Sequence, residues 1–225
     1  MSFASLRAHA PVVVIDGALA TELERHGADL NHRLWSARLL RDEPERIGAV
    51  HRAYLAAGAQ ILITASYQAT IPGFVEAGYS EADAIAAIRC SVTLACAARD
   101  AWVAAHPTAR YRPLVAGSVG PYGAYTADGG EYRGQYGLSV TDLMAFHQPR
   151  IALLVAAGVD LIACETIPDV AEIEALARCL AVYPHIASWI SVSCGDAATT
   201  WAGQSMQQVA ACLAAHPHVS AVGVN

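Results

Sequence analysis

Short apolar runs recur along the chain with helix-like patterns between them. The runs are VVVIDGA at 12–18, QILITAS at 60–66, PLVAGSVG at 113–120, DLIACET at 160–166, SWISVSC at 188–194 and SAVGVN at 220–225. Their length and β-branched content predict strands. The segments between them carry helix signals. Pro44 stands at a first-turn position, Ile47, Val50, Tyr54 and Leu55 share one face, and Gly58 is a stop. Ser80 with Asp83 three residues on predicts the start of a long Ala-rich helix ending near His106-Pro107. Further helices are predicted at about 140–157, 169–182 and 205–215, closed by Gly158, Pro184 and Pro217. The alternation is a βα repeat, hence an α/β fold with parallel strands. Two architectures satisfy it, an open doubly wound sheet and a (β/α)8 barrel. The turn after the first run has a single glycine and no GxGxxG, so dinucleotide binding loses its support. A barrel needs eight strands, of which about six βα units are present, with SAVGVN as the sixth strand.

Composition narrows the function. The 225 residues show no linker-like stretch and are expected to form one domain. A net charge of −6 with dispersed basic residues argues against nucleic acid as a partner. All 14 basic residues are Arg, which excludes lysine Schiff-base chemistry from these residues. Cysteines 90, 96, 164, 179, 194 and 212 form no CxxC pair or finger spacing, predicting reduced thiols and a cytoplasmic protein. The N-terminus imitates a signal peptide, but its apolar run is only four residues before Asp16, so secretion is not expected. No apolar stretch is long and charge-free enough to predict a membrane span.

In a barrel, chemistry belongs at the C-terminal strand ends, where Asp16, Thr64, Ser66, Ser118, Glu165 and Cys194 fall. Strand alternation places Glu165 with Ala163 and Leu161 on the inner face, and Cys164 on the helix side as a packing thiol. Asp16 and Glu165 are candidates to flank a small cationic ligand, an ammonium or a sulfonium. The plainer role for Asp16 is capping the next helix. The loop at 119–138 is the longest irregular stretch, and its tyrosines 122, 125, 132 and 136 serve either as a binding wall with π faces for a cation or as packing for the loop itself.

Taken together, DGALATELERHG, LWSARLL, VHRAYLAAGAQILITASYQAT, GSVGPYGA, EYRGQYG and FHQPRIALLVAAGVDLIACETIP resemble the homocysteine S-methyltransferase family, most closely members that use S-methylmethionine. The resemblance spans essentially the whole chain. It implies a (β/α)8 barrel and methyl transfer from a sulfonium donor, S-methylmethionine or S-adenosylmethionine, to the thiol of L-homocysteine, giving L-methionine. It assigns Asp16 and Glu165 to the substrate amino group, Thr64 to the neighbourhood of its carboxylate, with Ser66 next on the same strand face, and backbone at Gly17 and Ala18 to the pocket wall. It further implies one zinc ion, held by three cysteines: one directly after the strand-six GVN and two in a later GGCC segment. None of these lies within residues 1–225, so the expectation is a single, C-terminally incomplete homocysteine-binding domain with no catalytic residue or metal ligand of its own and open edges at strands one and six. Zinc is expected in the complete protein and not in this chain. Two alternatives stand beside this reading: a metal-free, inactive fragment that binds an amino acid, and a metal-independent barrel enzyme using the two carboxylates as acid and base, with one carboxyl pKa raised. Oligomeric state is left open.

Overall fold

The βα alternation forms largely where the apolar runs and helix signals place it. The computed structural model describes residues 2–9 and 12–225; Met1, Ala10 and Pro11 of the signal-like N-terminal stretch lie outside the described residues. The chain divides into two compact units, one of residues 1–117 with 153–161, the other of residues 118–152 with 162–225.

In the first unit, α1 (Phe3–His9) and α2 (Leu19–Arg25) precede the short α3 (Leu39–Asp42) and α4 (Pro44–Ala56). Pro44 opens α4, and Ile47, Val50 and Leu55 are buried on one face of it. β1 (Ile61–Ile63) follows, then α5 (Ile71–Glu76), capped by the Thr70 hydroxyl, and the 25-residue α6 (Glu81–Ala105). Ser80 and Asp83 close a reciprocal capping box at the start of α6, the arrangement predicted from their spacing. α6 packs against α4 and α5, and its Ile88 and Val92 are buried. β1 pairs in parallel with β2 (Leu114–Val119), with Ile61 opposite Leu114 and Ile63 opposite Ala116.

The run at 12–18 departs from expectation: it forms a single parallel bridge, Ile15 to Ile61, instead of a strand. The Val14 N–H is taken by the side-chain oxygen of Gln60 at 2.9 Å, while the Val14 carbonyl accepts from the N–H groups of both Gln60 and Ile61. A side chain thus occupies a ladder position that a neighbouring main chain would fill. The pairing resumes at Asp16, whose N–H donates to the Ile61 carbonyl at 3.0 Å.

In the second unit, α7 (Tyr122–Thr126) lies in the long loop, and α8 (Val140–Ala156) begins at a Ser139–Asp142 reciprocal cap and carries Pro149 in its interior. β3 (Leu161–Ile167) leads into α9 (Val170–Leu180), capped by Asp169. β4 (Ala187–Val192), α10 (Met206–Ala214) with its Ser205–Gln208 capping box, and β5 (Ala221–Val224) complete the order. β3, β4 and β5 lie side by side in chain order, and β4 pairs with β5 in parallel, Trp189 opposite Ala221 through Val192 opposite Val224. α9 and α10 pack together, with Ile173, Leu176, Val209 and Leu213 among their buried residues. Among the described residues, no helix is long and apolar enough to cross a membrane.

Candidate active site

The first unit gathers five of the sequence-predicted residues. Asp16 is half-buried, and its Oδ2 accepts the Ile63 N–H at 2.9 Å. It does not cap α2, whose N-cap, Ala18, has no side-chain cap bond. Strand pairing therefore fixes this carboxylate against the C-terminal end of β1. Thr64 and Ser66 follow immediately and are both buried, their hydroxyls 2.7 Å apart. Gly17 and Ala18 lie under Tyr54 of α4. The Tyr54 hydroxyl donates to the Ala18 carbonyl at 3.3 Å, and a Cβ added at Gly17 would come within 2.9 Å of that hydroxyl. Burial pushes the Tyr54 pKa up, and the Glu22 and Asp16 carboxylates push in the same direction. The helix-face pattern identified Tyr54 only as a packing residue, so its contact with the Gly17–Ala18 turn was not legible in the sequence.

The second unit holds Glu165 near the end of β3. The residue remains partly accessible, yet the surrounding protein desolvates its carboxyl and raises its pKa to about 7 against the opposing effect of Ser118. The Ser118 hydroxyl, at the end of β2 and fully buried, donates to Glu165 Oε1. Thr166, next in line, has φ of 61°, a left-handed conformation that is unusual for a β-branched residue, and its hydroxyl accepts from Asn225 Nδ2 at 3.3 Å. Ser118 stands in the sequence as one strand-end residue among several; only the fold makes it the partner of Glu165.

Cys164 is buried, and the groups acting on it are Arg150 of α8, Cys179 and Glu172 of α9, and its strand neighbour Glu165. Desolvation raises its pKa, and that of Cys179 to about 11, the reverse of what a thiolate ligand needs. Cys194 lies beside Met206, its sulfur 3.9 Å from the thioether. Among the described residues, no group of three or more His, Cys, Asp or Glu side chains is placed to hold a metal ion. The described residues do not fit a zinc site. In the loop at 119–138, Tyr122, Tyr125 and Tyr136 form one aromatic cluster with Phe146 of α8, Tyr122 being central with ring centroids 4.9–5.3 Å from the other three. Tyr132 stands apart, exposed beside Trp201 at 6.0 Å.

The family model described as homocysteine S-methyltransferase matches residues 13–225. The chain belongs to the homocysteine S-methyltransferase family. It is 51% identical over 214 residues to the homocysteine S-methyltransferase of Escherichia coli (strain K12), covering 95% of this chain and 69% of that protein. It is 47% identical over 217 residues to the homocysteine S-methyltransferase YbgG of Bacillus subtilis (strain 168), covering 96% of this chain and 69% of the relative. The crystal structure of the E. coli homocysteine methyltransferase MmuM in its metallated form matches with a TM-score of 0.93 at 50% identity, over 98% of this chain and 76% of that one. This homocysteine S-methyltransferase chain therefore has an α/β fold with the βα order of a (β/α)8 barrel, about six units of which it contains.

Proposed function

We propose that this chain binds L-homocysteine for methylation by a sulfonium donor, S-methylmethionine or S-adenosylmethionine, yielding L-methionine, in the cytoplasm. The observation that carries the reading is Glu165. A carboxyl desolvated enough to titrate near pH 7 gains most from a partner that brings a positive charge, and the substrate ammonium is such a partner. The family resemblance assigns Asp16 to the ammonium as well, and within its own unit the Ile63 N–H holds that carboxylate in orientation. The paired hydroxyls of Thr64 and Ser66 receive the substrate carboxylate, and the main chain at Gly17 and Ala18, braced by Tyr54, forms the wall. These residues bind and orient; none is assigned a proton transfer. In the reaction a sulfur–carbon bond forms at homocysteine, the donor's sulfur–methyl bond breaks to leave a neutral thioether, and the thiol proton passes to solvent. The zinc ion implied by the resemblance belongs to this reading only for the complete protein, with ligands outside residues 1–225.

The acid–base reading shares one observation, the raised carboxyl of Glu165. Calorimetric titration of homocysteine between pH 5.5 and 8.5 separates the two. Ammonium binding predicts affinity that rises with pH through about 7, as Glu165 ionises, and at least a tenfold loss in Glu165→Gln. Affinity independent of pH and unchanged in that variant overturns the proposal.

A further inference from the structure

Three ionisable side chains that the proposed chemistry does not use form one buried cluster in the second unit. His147 and Glu172 are fully buried and Arg150 nearly so, at 2% exposure. Arg150 Nη2 lies 3.0 Å from His147 Nδ1, and His147 Nε2 lies 2.8 Å from Glu172 Oε1. Arginine only donates, so Nδ1 accepts and the imidazole proton resides on Nε2, from which it donates to the carboxylate. Burial lowers the His147 pKa and keeps the ring neutral between a cation and an anion. The donor order is thereby fixed along the whole cluster.

The two ends of this relay terminate on main-chain groups two residues apart. Arg150 Nη2 donates to the Gly120 carbonyl at 2.6 Å, and Glu172 Oε1 accepts the Tyr122 N–H. The far end of the same loop is tied to the same helix: Asp169, the α9 cap, accepts the Gln135 N–H at 2.7 Å. Burying such charges is expensive relative to apolar packing, so their geometry, not their contribution to stability, is what distinguishes them. Gly120 is two residues from Ser118, the hydrogen-bond donor to Glu165.

We propose that Arg150, His147 and Glu172 are positioning residues: their relay clamps Gly120 and Tyr122, making the loop after β2 a fixed wall that holds Ser118 against Glu165 for substrate binding. This inference rests on the assignment of Glu165 to the homocysteine ammonium.

The test follows the Glu165 carboxyl by 13C NMR titration in labelled protein, alongside homocysteine calorimetry. In E172A the acceptor shared by the Tyr122 N–H and His147 Nε2 is gone, the clamp opens and water reaches Glu165, so the Glu165 midpoint falls from about 7 by at least one pH unit and homocysteine affinity falls at least tenfold. H147Q keeps one donor and one acceptor between Arg150 and Glu172, so midpoint and affinity stay within 0.3 unit and about twofold of wild type. A folded E172A with both readouts unchanged overturns the inference, as does H147Q damaged as severely as E172A. If E172A does not fold, Arg150→Met, which removes both donations from Nη2, carries the same expectation and the same overturning result. Wild-type protein that binds no homocysteine while the midpoint responds as stated refutes the substrate reading and leaves the clamp standing.

Discussion

At the scale of single residues, the decisive contrast is between groups recognisable by type and groups that matter by contact. Asp16 and Glu165 stand out in sequence because a carboxylate ending an apolar run must find a partner or a function. Ser118 and Tyr54 do not, since a serine in a strand and a tyrosine on an amphipathic helix are ordinary. Their roles come from what they touch: Glu165 Oε1 for one, the Ala18 carbonyl for the other. The approach of Tyr54 to Gly17 gives a specific expectation. In Gly17→Ala the new methyl meets the phenol oxygen at 2.9 Å and displaces the end of a flexible side chain. Stability should change by no more than about 1 kcal/mol in urea unfolding, because no backbone clash arises. Homocysteine affinity should fall several-fold by calorimetry as the bond to Ala18 is lost.

At the scale of elements, helices were more legible than strands. Their ends are written locally, in Ser80 and Asp83 for α6, Ser205 and Gln208 for α10, and Pro44 for α4. Ser80→Ala should therefore cost about 1 kcal/mol in chemical unfolding, the usual value of an N-cap, whereas Thr93→Ala on the exposed side of α6 should change little. The run at 12–18 does not become a strand because an apolar run states a preference for extended backbone and not the presence of a partner for each N–H. Gln60 intercepts the Val14 N–H, and one bridge results where seven residues read as a strand. Within α4, periodicity marks a buried face but not what burial does to His51. Among the described residues its two ring nitrogens have no hydrogen-bond partner, and desolvation lowers its pKa to about 4.

At the scale of the whole molecule, His51 and Glu165 act on stability in opposite senses. The His51 pKa is lowered from 6.5 to about 4, so its contribution is present above pH 6.5 and is lost as pH falls toward 4. The Glu165 pKa is raised from 4.5 to about 7, so its contribution is present below pH 4.5 and is lost as pH rises toward 7. Between pH 4.5 and 6.5 the two slopes, each on the order of 1.4 kcal/mol per pH unit, oppose each other. Urea unfolding of wild type should be nearly flat in that window from this pair. His51→Leu should become less stable as pH rises, and Glu165→Gln more stable as pH rises; parallel pH profiles for the two variants would contradict the assignment. The sequence alone determined the α/β class and the ends of the longer helices, and singled out two carboxylates as candidates, because periodicity, caps and residue chemistry are properties of neighbours along the chain. Only the tertiary structure decided that Ser118 serves Glu165, that Tyr54 braces Gly17, that His51 lies dry, and that Arg150, His147 and Glu172 meet. Desolvation and hydrogen-bond geometry depend on atoms distant in sequence, and no local pattern encodes which of them will be near.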